Sequence, residues 1–236
     1  MKIALIGYGK MGRTIEGFAV RRGHSVTIRI DKDNTEDIYS ELFKSSDVAI
    51  EFSCPETAFH NVSTALKSGV PVVCGTTGWI DKLEEAKRLC NEQKTGFIYS
   101  SNFSLGVNIF FHINRKLAEI MKQYPDYVPT IEEIHHIHKK DAPSGTAITL
   151  AEDVLSHIGL KKWSLEKEEN SLHISAVREG EVPGTHSVSY ENSIDIIKIS
   201  HEAKSRDGFA LGAVIAAEFI KDRLGFFTMK EVLGLV

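Results

Sequence analysis

Long apolar runs are missing from this chain. No uninterrupted hydrophobic stretch approaches the roughly 20 residues that a membrane helix needs, so no membrane partner is expected. Cysteine is scarce: three residues, Cys54, Cys74 and Cys90, are odd in number and lack C-x-x-C spacing. That argues against a disulfide framework and for a reducing, cytoplasmic setting, with each thiol read as a small packing residue. An excess of positive charge is also absent. Twenty-eight bases against 32 acids leave a net charge of -4, so no broad basic surface is available for a nucleic acid partner. A local basic pocket for a small anion stays open. The first apolar run, Ile3 to Ile6, is too short for a signal peptide and meets a glycine at once. What remains is globular: 42% hydrophobic and 25% charged residues in 236, enough for one or two domains.

The first hundred residues alternate between two periods. Strand-like apolar runs occur at Lys2 to Ile6, Ser25 to Ile30, Asp47 to Phe52, Pro71 to Cys74 and Gly96 to Tyr99. Helical spacing separates most of them, as in Met11 to Val20 and Leu83 to Leu89. This pattern predicts an α/β, Rossmann-like parallel sheet covered on both faces. Ser53-Cys-Pro-Glu56 has capping-box spacing before a helix. The pattern changes after Asn102. A helix from Val107 to Met121, a strand from Thr130 to Ile137 and a helix from Thr146 to Ile158 are expected. The polar stretch Lys161 to Ser171 reads as a surface connection. Leu172 to Val177, His186 to Tyr190 and Ile194 to Ile199 read as neighbouring strands. Together these predict a second α+β domain with an open mixed sheet, followed by a helix from Gly208 to Arg223.

Gly7-Tyr8-Gly9-Lys10-Met11-Gly12 follows the first strand and opens a helix. In that context G-x-G-x-x-G gives a tight turn, a close backbone approach to a pyrophosphate and a helix N-terminus that favours anions. Asp31, 19 residues beyond Gly12, stands near the ribose-binding position and favours NAD; a solvated turn acid is the other reading. Arg29 and Lys32 are cations that could accept a 2′-phosphate, so NADH and NADPH are both candidates. Gly75-Thr76-Thr77 and Ser100-Ser101-Asn102-Phe103 follow the fourth and fifth strands, where open α/β sheets bind ligands. They are candidates for the remaining cofactor wall, with turn formation as the alternative.

The densest chemical signal is Glu133-Ile-His135-His136-Ile-His138-Lys139-Lys140-Asp141-Ala-Pro-Ser144-Gly145-Thr146. It leaves a strand, crosses a loop and enters a helix. A helix N-terminus can bind a carboxylate, a lysine adds charge, and a histidine titrates near neutral pH. Three readings compete: a metal site, a polar loop with structural histidines, and a dicarboxylate pocket with a proton donor. Neither H-E-x-x-H nor a Cys/His spacing is present, and adjacent strand histidines point to opposite faces; no metal is expected.

Here the chain resembles the dihydrodipicolinate (4-hydroxy-tetrahydrodipicolinate) reductase family. The family motif E-x-H-H-x-x-K-x-D-A-P-S-G-T matches from Glu133 to Thr146, as do the Gly7–Gly12 turn, the Gly75–Gly78 loop, Asn102 to Asn108, His201-x-Ala-x-Ser-Arg206 and Gly212-Ala213. The chain is shorter than many relatives after Asp31 and around Lys161 to Ser171. The resemblance implies NAD(P)H-dependent reduction of 4-hydroxy-tetrahydrodipicolinate to tetrahydrodipicolinate, in lysine and diaminopimelate biosynthesis. It implies His135 as proton donor or acceptor and Lys139 as the second proton donor. His136, Ser144, Gly145 and Thr146 would bind the small dicarboxylate substrate. It further implies a dinucleotide-binding domain at 1–104, with 207–236 packing back on it, a hinge, and a substrate and oligomerisation domain at 105–206 in a homotetramer. Two other functions stay open: an aspartate dehydrogenase-like oxidoreductase of another small carboxylate, and a non-catalytic dinucleotide sensor.

Overall fold

The computed structural model describes residues 1–235. Its elements follow in chain order: β1 (Lys2–Ile6), α1 (Lys10–Arg21), β2 (Ser25–Ile30), α2 (Glu41–Lys44), β3 (Val48–Glu51), α3 (Pro55–Lys67), β4 (Val72–Cys74), α4 (Leu83–Gln93) and β5 (Gly96–Tyr99). Next come α5 (Leu105–Met121), β6 (Val128–His135), α6 (Gly145–Leu155), β7 (Lys162–Ser164), β8 (Ser171–Arg178), β9 (Thr185–Glu191), β10 (Ile196–Glu202), α7 (Asp207–Ile220), β11 (Gly225–Phe227) and α8 (Met229–Val232). They form two compact units: Met1–Leu105 with the residues from Asp207 onward, and Gly106–Arg206.

The first unit is a six-stranded parallel sheet in the order β11-β5-β4-β3-β1-β2. Its strands are apolar without interruption because helices cover both faces. Ala4, Ile6, Ile30, Ala49 and Val72 pack toward α2, α3 and α4. Ile3, Leu5, Val48, Ile50 and Val73 pack toward α1 and α7. Truncating a fully buried leucine such as Leu5 costs about 2–5 kcal/mol. Gly212 in α7 is required by contact: a Cβ there would overlap the Phe103 carbonyl oxygen. The sheet order reverses between β1 and β3, and ligands bind such sheets outside the strand ends at that point.

The second unit is a mixed sheet in the order β10-β9-β6-β8-β7. Strand β6 runs parallel to β8 and antiparallel to β9. Helices α5 and α6 cover one face, with Phe110, Met121, Leu150 and Val154 against Ile131, Ile174, Val188 and Tyr190. Alternation along β6 buries Pro129, Ile131, Glu133 and His135 on that face. A polar pair thus sits where the core pattern would place hydrophobics.

Several local expectations change. The Ser53–Glu56 spacing does not form a capping box: Cys54 is the N-cap of α3 without a side-chain cap, and the Ser53 hydroxyl donates to Glu51 instead. A true capping box joins Thr228 and Glu231. The predicted strand to Ile137 stops at His135. The surface connection contains β7, and β6 lies between β8 and β9, which are therefore not neighbours. Cys74 and Cys90 are buried packing residues, but Cys54 is exposed. Among the described residues, no helix is long and apolar enough to cross a membrane.

Candidate active site

The first unit presents a cleft of about 510 Å³ at the carboxyl ends of β1, β2 and β3. Gly7 (φ +88°) turns the chain, and any Cβ there would overlap the Phe52 carbonyl. A Cβ on Gly12 would overlap the Gly7 carbonyl, so that glycine lets α1 approach β1. Gly9 differs: nothing lies within 4 Å of a Cβ built on it. Its side of the turn is open, and it caps α1 with no side-chain hydrogen bond and no acid in the first turn. Backbone N–H groups and the helix dipole there suit an anion such as a pyrophosphate.

The neighbours divide into cleft walls and supports. Gly7, Gly9, Asp31 and Lys32 line the cleft. Lys10 is exposed, and Met11 packs on the core. Asp31 holds its own turn, with Oδ1 accepting from Lys32 N at 3.0 Å and its N donating to Asn34 at 2.8 Å. Tyr8 donates to Glu16. Arg29 is not a loose cation at the ribose position: it forms a two-point ion pair with Glu16.

Gly75 is a close-packing position, since a Cβ would run into the Phe52 ring. Thr76 is buried, and its hydroxyl accepts from Ser53 N at 2.8 Å. Ser100 and Asn102 hydrogen-bond within their own loop. The Phe103 side chain, 1% exposed, packs in the core and against Phe52, which leaves the backbone of this loop as its ligand-facing part. Thr77 and Ser101 are the exposed members of these loops. Sequence reasoning missed Ser53, Cys54, Thr57 and Asn61, which also line the cleft. Their signal was positional: they follow β3, whose end borders the switch point.

The second unit gathers a buried acid–base cluster. Glu133 is fully buried. Its Oε2 accepts from Ser144 N at 3.0 Å, and its Oε1 accepts from Arg178 at 3.1 Å. Cross-strand register sets Glu133 opposite His186, and His135 opposite Arg178. Oε2 is 3.4 Å from His135 Nδ1 and 3.7 Å from His186 Nε2. Burial alone would raise the Glu133 pKa, but hydrogen bonds from His186, Ser144 and Arg178 outweigh it and hold the carboxyl at about 2. His135 falls to about 4: burial disfavours its charged form, the pull of Glu133 is only partial, and His186, Lys139 and Arg178 add repulsion. One strand further along the same row, His201 stacks on Phe110 at 6.1 Å. Its pKa is lowered by burial and then by His186.

His135 parts from the other two histidines of the motif, whose rings lie 6.0 Å apart. His135 points into the core face. His136 lies beyond the strand end, and exposed His138 contacts Glu181 at 3.1 Å. Lys139 pairs with Asp141 at 2.7 Å, and that pairing lowers the Asp141 pKa. Ser144, 4% exposed, is the N-cap of α6: its hydroxyl accepts from Ala147 N at 3.2 Å and shares a 3.0 Å bond with His186 Nε2. That hydroxyl is a cap, worth about 1 kcal/mol, rather than an open substrate contact. Gly145 is exposed, with nothing within 4 Å of a built Cβ, and Thr146 is half-buried. The first turn of α6 carries no acid, so its N–H groups suit a carboxylate.

Glu133, His135 and His186 place ligating atoms within 4.8 Å of one another. Both Glu133 oxygens already accept hydrogen bonds, from Ser144 N and Arg178. The cluster reads as an acid–base network. Glu133, Arg178 and His186 were given no role from sequence. Glu133 was legible as the residue two positions before His135 on one strand face; the other two needed the sheet order.

Comparison with known proteins agrees along the whole chain. The family model "Dihydrodipicolinate reductase, N-terminus" matches residues 1–103, and "Dihydrodipicolinate reductase, C-terminus" matches residues 106–233. The 4-hydroxy-tetrahydrodipicolinate reductase of Christiangramia forsetii is 53% identical over 236 residues, covering 99% of this chain and 98% of the relative. That of Archaeoglobus fulgidus is 36% identical over 263 residues, covering 99% and 100%. The fold is similar to dipicolinate-bound dihydrodipicolinate reductase from Paenisporosarcina sp. TG-14, with TM-score 0.78, 22% identity and 97% of each chain covered.

Proposed function

The chain belongs to the dihydrodipicolinate reductase family and is an oxidoreductase; from that premise we propose that it reduces 4-hydroxy-tetrahydrodipicolinate to tetrahydrodipicolinate with NADH or NADPH. One hydride and one proton enter the substrate, and its 4-hydroxyl leaves as water. The observation that carries this reading is the meeting of His135, Glu133 and the α6 N-cap Ser144 in one buried network, beside helix-terminal N–H groups suited to a carboxylate.

The open glycine turn at Gly9 would hold the coenzyme's pyrophosphate and Asp31 its ribose. The nicotinamide, when bound, supplies the hydride. The rest falls to this chain's own groups. Gly145 and Thr146 would bind one substrate carboxylate through backbone N–H groups, and His136 would contact the substrate. The Lys139 ammonium would compensate substrate charge and donate a proton. His135, with its pKa at about 4, is neutral at neutral pH, so it starts as an acceptor. A dianionic substrate would raise its pKa and let it carry a proton.

We extend the proposal to a cytoplasmic homotetramer. Uncrosslinked cysteines suit that compartment. Ile194 (85% exposed) and Ile196 (57%) on and before edge strand β10 present apolar surface suited to a second copy. Light scattering on the eluting peak would test the assembly. For the reaction, freshly made aldol product is mixed with purified protein and either coenzyme, and loss of coenzyme absorbance is followed. Oxidation that depends on the aldol product is expected. Coenzyme binding without such oxidation would leave a dinucleotide-binding protein of other function.

A further inference from the structure

A cation that the sequence offers to the coenzyme is engaged elsewhere. Arg29 is the penultimate residue of β2, two positions before Asp31, which lines the cleft; Arg29 does not. Two residues of extended chain span about 6.5 Å, a distance an arginine side chain can cover. Yet the guanidinium is folded back onto α1. Nε meets Glu16 Oε2 at 3.1 Å, Nη2 meets Oε1, and the group lies 5.6 Å from the centre of the Tyr8 ring. The Tyr8 hydroxyl donates to the same carboxylate, so Glu16 gathers a residue of the glycine turn and the cation of β2. Arg29 lowers the Glu16 pKa, which keeps the pair ionised under ordinary conditions. Arg13 lies over the same ring at 5.2 Å.

We propose that Glu16 is a specificity-determining residue for the coenzyme: by holding Arg29 against Tyr8 it withholds a guanidinium from the 2′ position of the adenosine ribose. The inference rests on the proposed coenzyme reading of the Gly7–Gly12 cleft. Guanidinium is the favoured partner of a phosphate, and a carboxylate at the same place repels one. With Arg29 neutralised, Lys32 is the cation of this turn that still lines the cleft beside Asp31, so the balance moves toward a free 2′-hydroxyl without excluding a 2′-phosphate. Removing the Glu16 charge frees Arg29 to swing toward Asp31, and preference moves toward NADPH without any change at Asp31 itself. Nothing in the reaction chemistry is altered, because Glu16 holds a neighbour and touches no reacting atom.

The test measures dissociation constants for NADH and NADPH by coenzyme fluorescence in the wild type, Glu16→Gln, Arg29→Ala and the double variant. Glu16→Gln should tighten NADPH about tenfold, the lower end for one charge-assisted contact, while NADH stays within about twofold. Unchanged NADH binding also reports an intact glycine turn. The gain should shrink at high salt, since the new contact is exposed. It should vanish in the double variant, and Arg29→Ala alone should change little. Should Glu16→Gln turn out to distort the turn, Glu16→Ala with Arg29 retained should give the same direction. NADPH binding that is unchanged or weaker in Glu16→Gln would overturn the proposal, and would mean that the ion pair presents Arg29 to the phosphate. Failure of the wild type to bind either coenzyme would instead overturn the cofactor reading beneath it.

Discussion

Glu133 and His135 stand two residues apart on the buried face of one strand, with the carboxylate oxygen 3.4 Å from the imidazole Nδ1. The pair turns a strand pattern into chemistry. The carboxylate charge favours a proton on the ring, opposing the effect of burial. The same carboxylate anchors the α6 N-terminus through Ser144 N–H. Glu133→Gln keeps the shape and removes the charge. The expected result is a kcat lowered about 10- to 100-fold, the scale seen when the partner beside a functional histidine is lost. The acid limb of the kcat/KM profile should shift down in pH, because the anion that raises the His135 pKa is gone. Steady-state kinetics per folded molecule would show it; an unshifted profile with normal kcat would reduce Glu133 to a structural role.

Stability should depend on acid in two stages. The folded state holds His135 at about 4 against an ordinary 6.5. Between those values the unfolded chain binds the extra proton, so stability rises with pH and is lost as pH falls from 6.5 toward 4. Glu133 lies at about 2 against 4.5, so its contribution is present above 4.5 and lost as pH falls toward 2. Urea unfolding across the acid range should show this slope. His135→Gln should reduce the upper-stage slope, leaving the part due to His201, whose pKa burial also lowers; an identical slope in that variant would sink the assignment.

Lys139→Ala should lower turnover roughly 10²–10⁴-fold, the usual contribution of a general acid. The lysine belongs to the second unit and the glycine turn to the first, so NADH affinity should survive. Coenzyme fluorescence beside steady-state rates separates the two effects. Turnover at the wild-type level would remove Lys139 from the mechanism.

Asp31→Ala should weaken NADH binding about tenfold, the lower end for one hydrogen bond to a charged group at an exposed position. NADPH should be affected less, moving preference toward the phosphorylated coenzyme. Competitive titration with both coenzymes gives the ratio. An unchanged ratio would mean that Asp31 serves only its turn with Asn34.

Cys54 is exposed and lines the cleft, whereas Cys74 and Cys90 are buried. Burial, and then Glu51, push the Cys74 thiol well above its ordinary range. Iodoacetamide should therefore label Cys54 first, and saturating NADH should slow that labelling. Peptide mapping by mass spectrometry would read it; equal labelling with and without NADH would move the coenzyme away from α3.

Local pattern alone determined much of this protein. Uninterrupted apolar strands between helical periods specified the parallel sheet, because such strands need cover on both faces. G-x-G-x-x-G between β1 and α1 specified an anion-binding turn, because its first and third glycines fill positions where no Cβ fits. The motif from Glu133 to Thr146 specified a strand, a loop and a helix start, and its likeness to a reductase family named the chemistry. Tertiary structure decided what depends on residues distant in sequence. Strands β7 (KWS) and β11 (GFF) lack the β-branched apolar run that declared the equally short β4 (VVC). Insertion of β6 between β8 and β9 brought Arg178 and His186 onto Glu133, a register no local pattern encodes. Folding engaged Ser144 as a cap, Phe103 as core and Arg29 with Glu16, although each residue type also suited a ligand. A residue type states what a side chain can bond; the fold decides which partner comes within 3 Å or so of it.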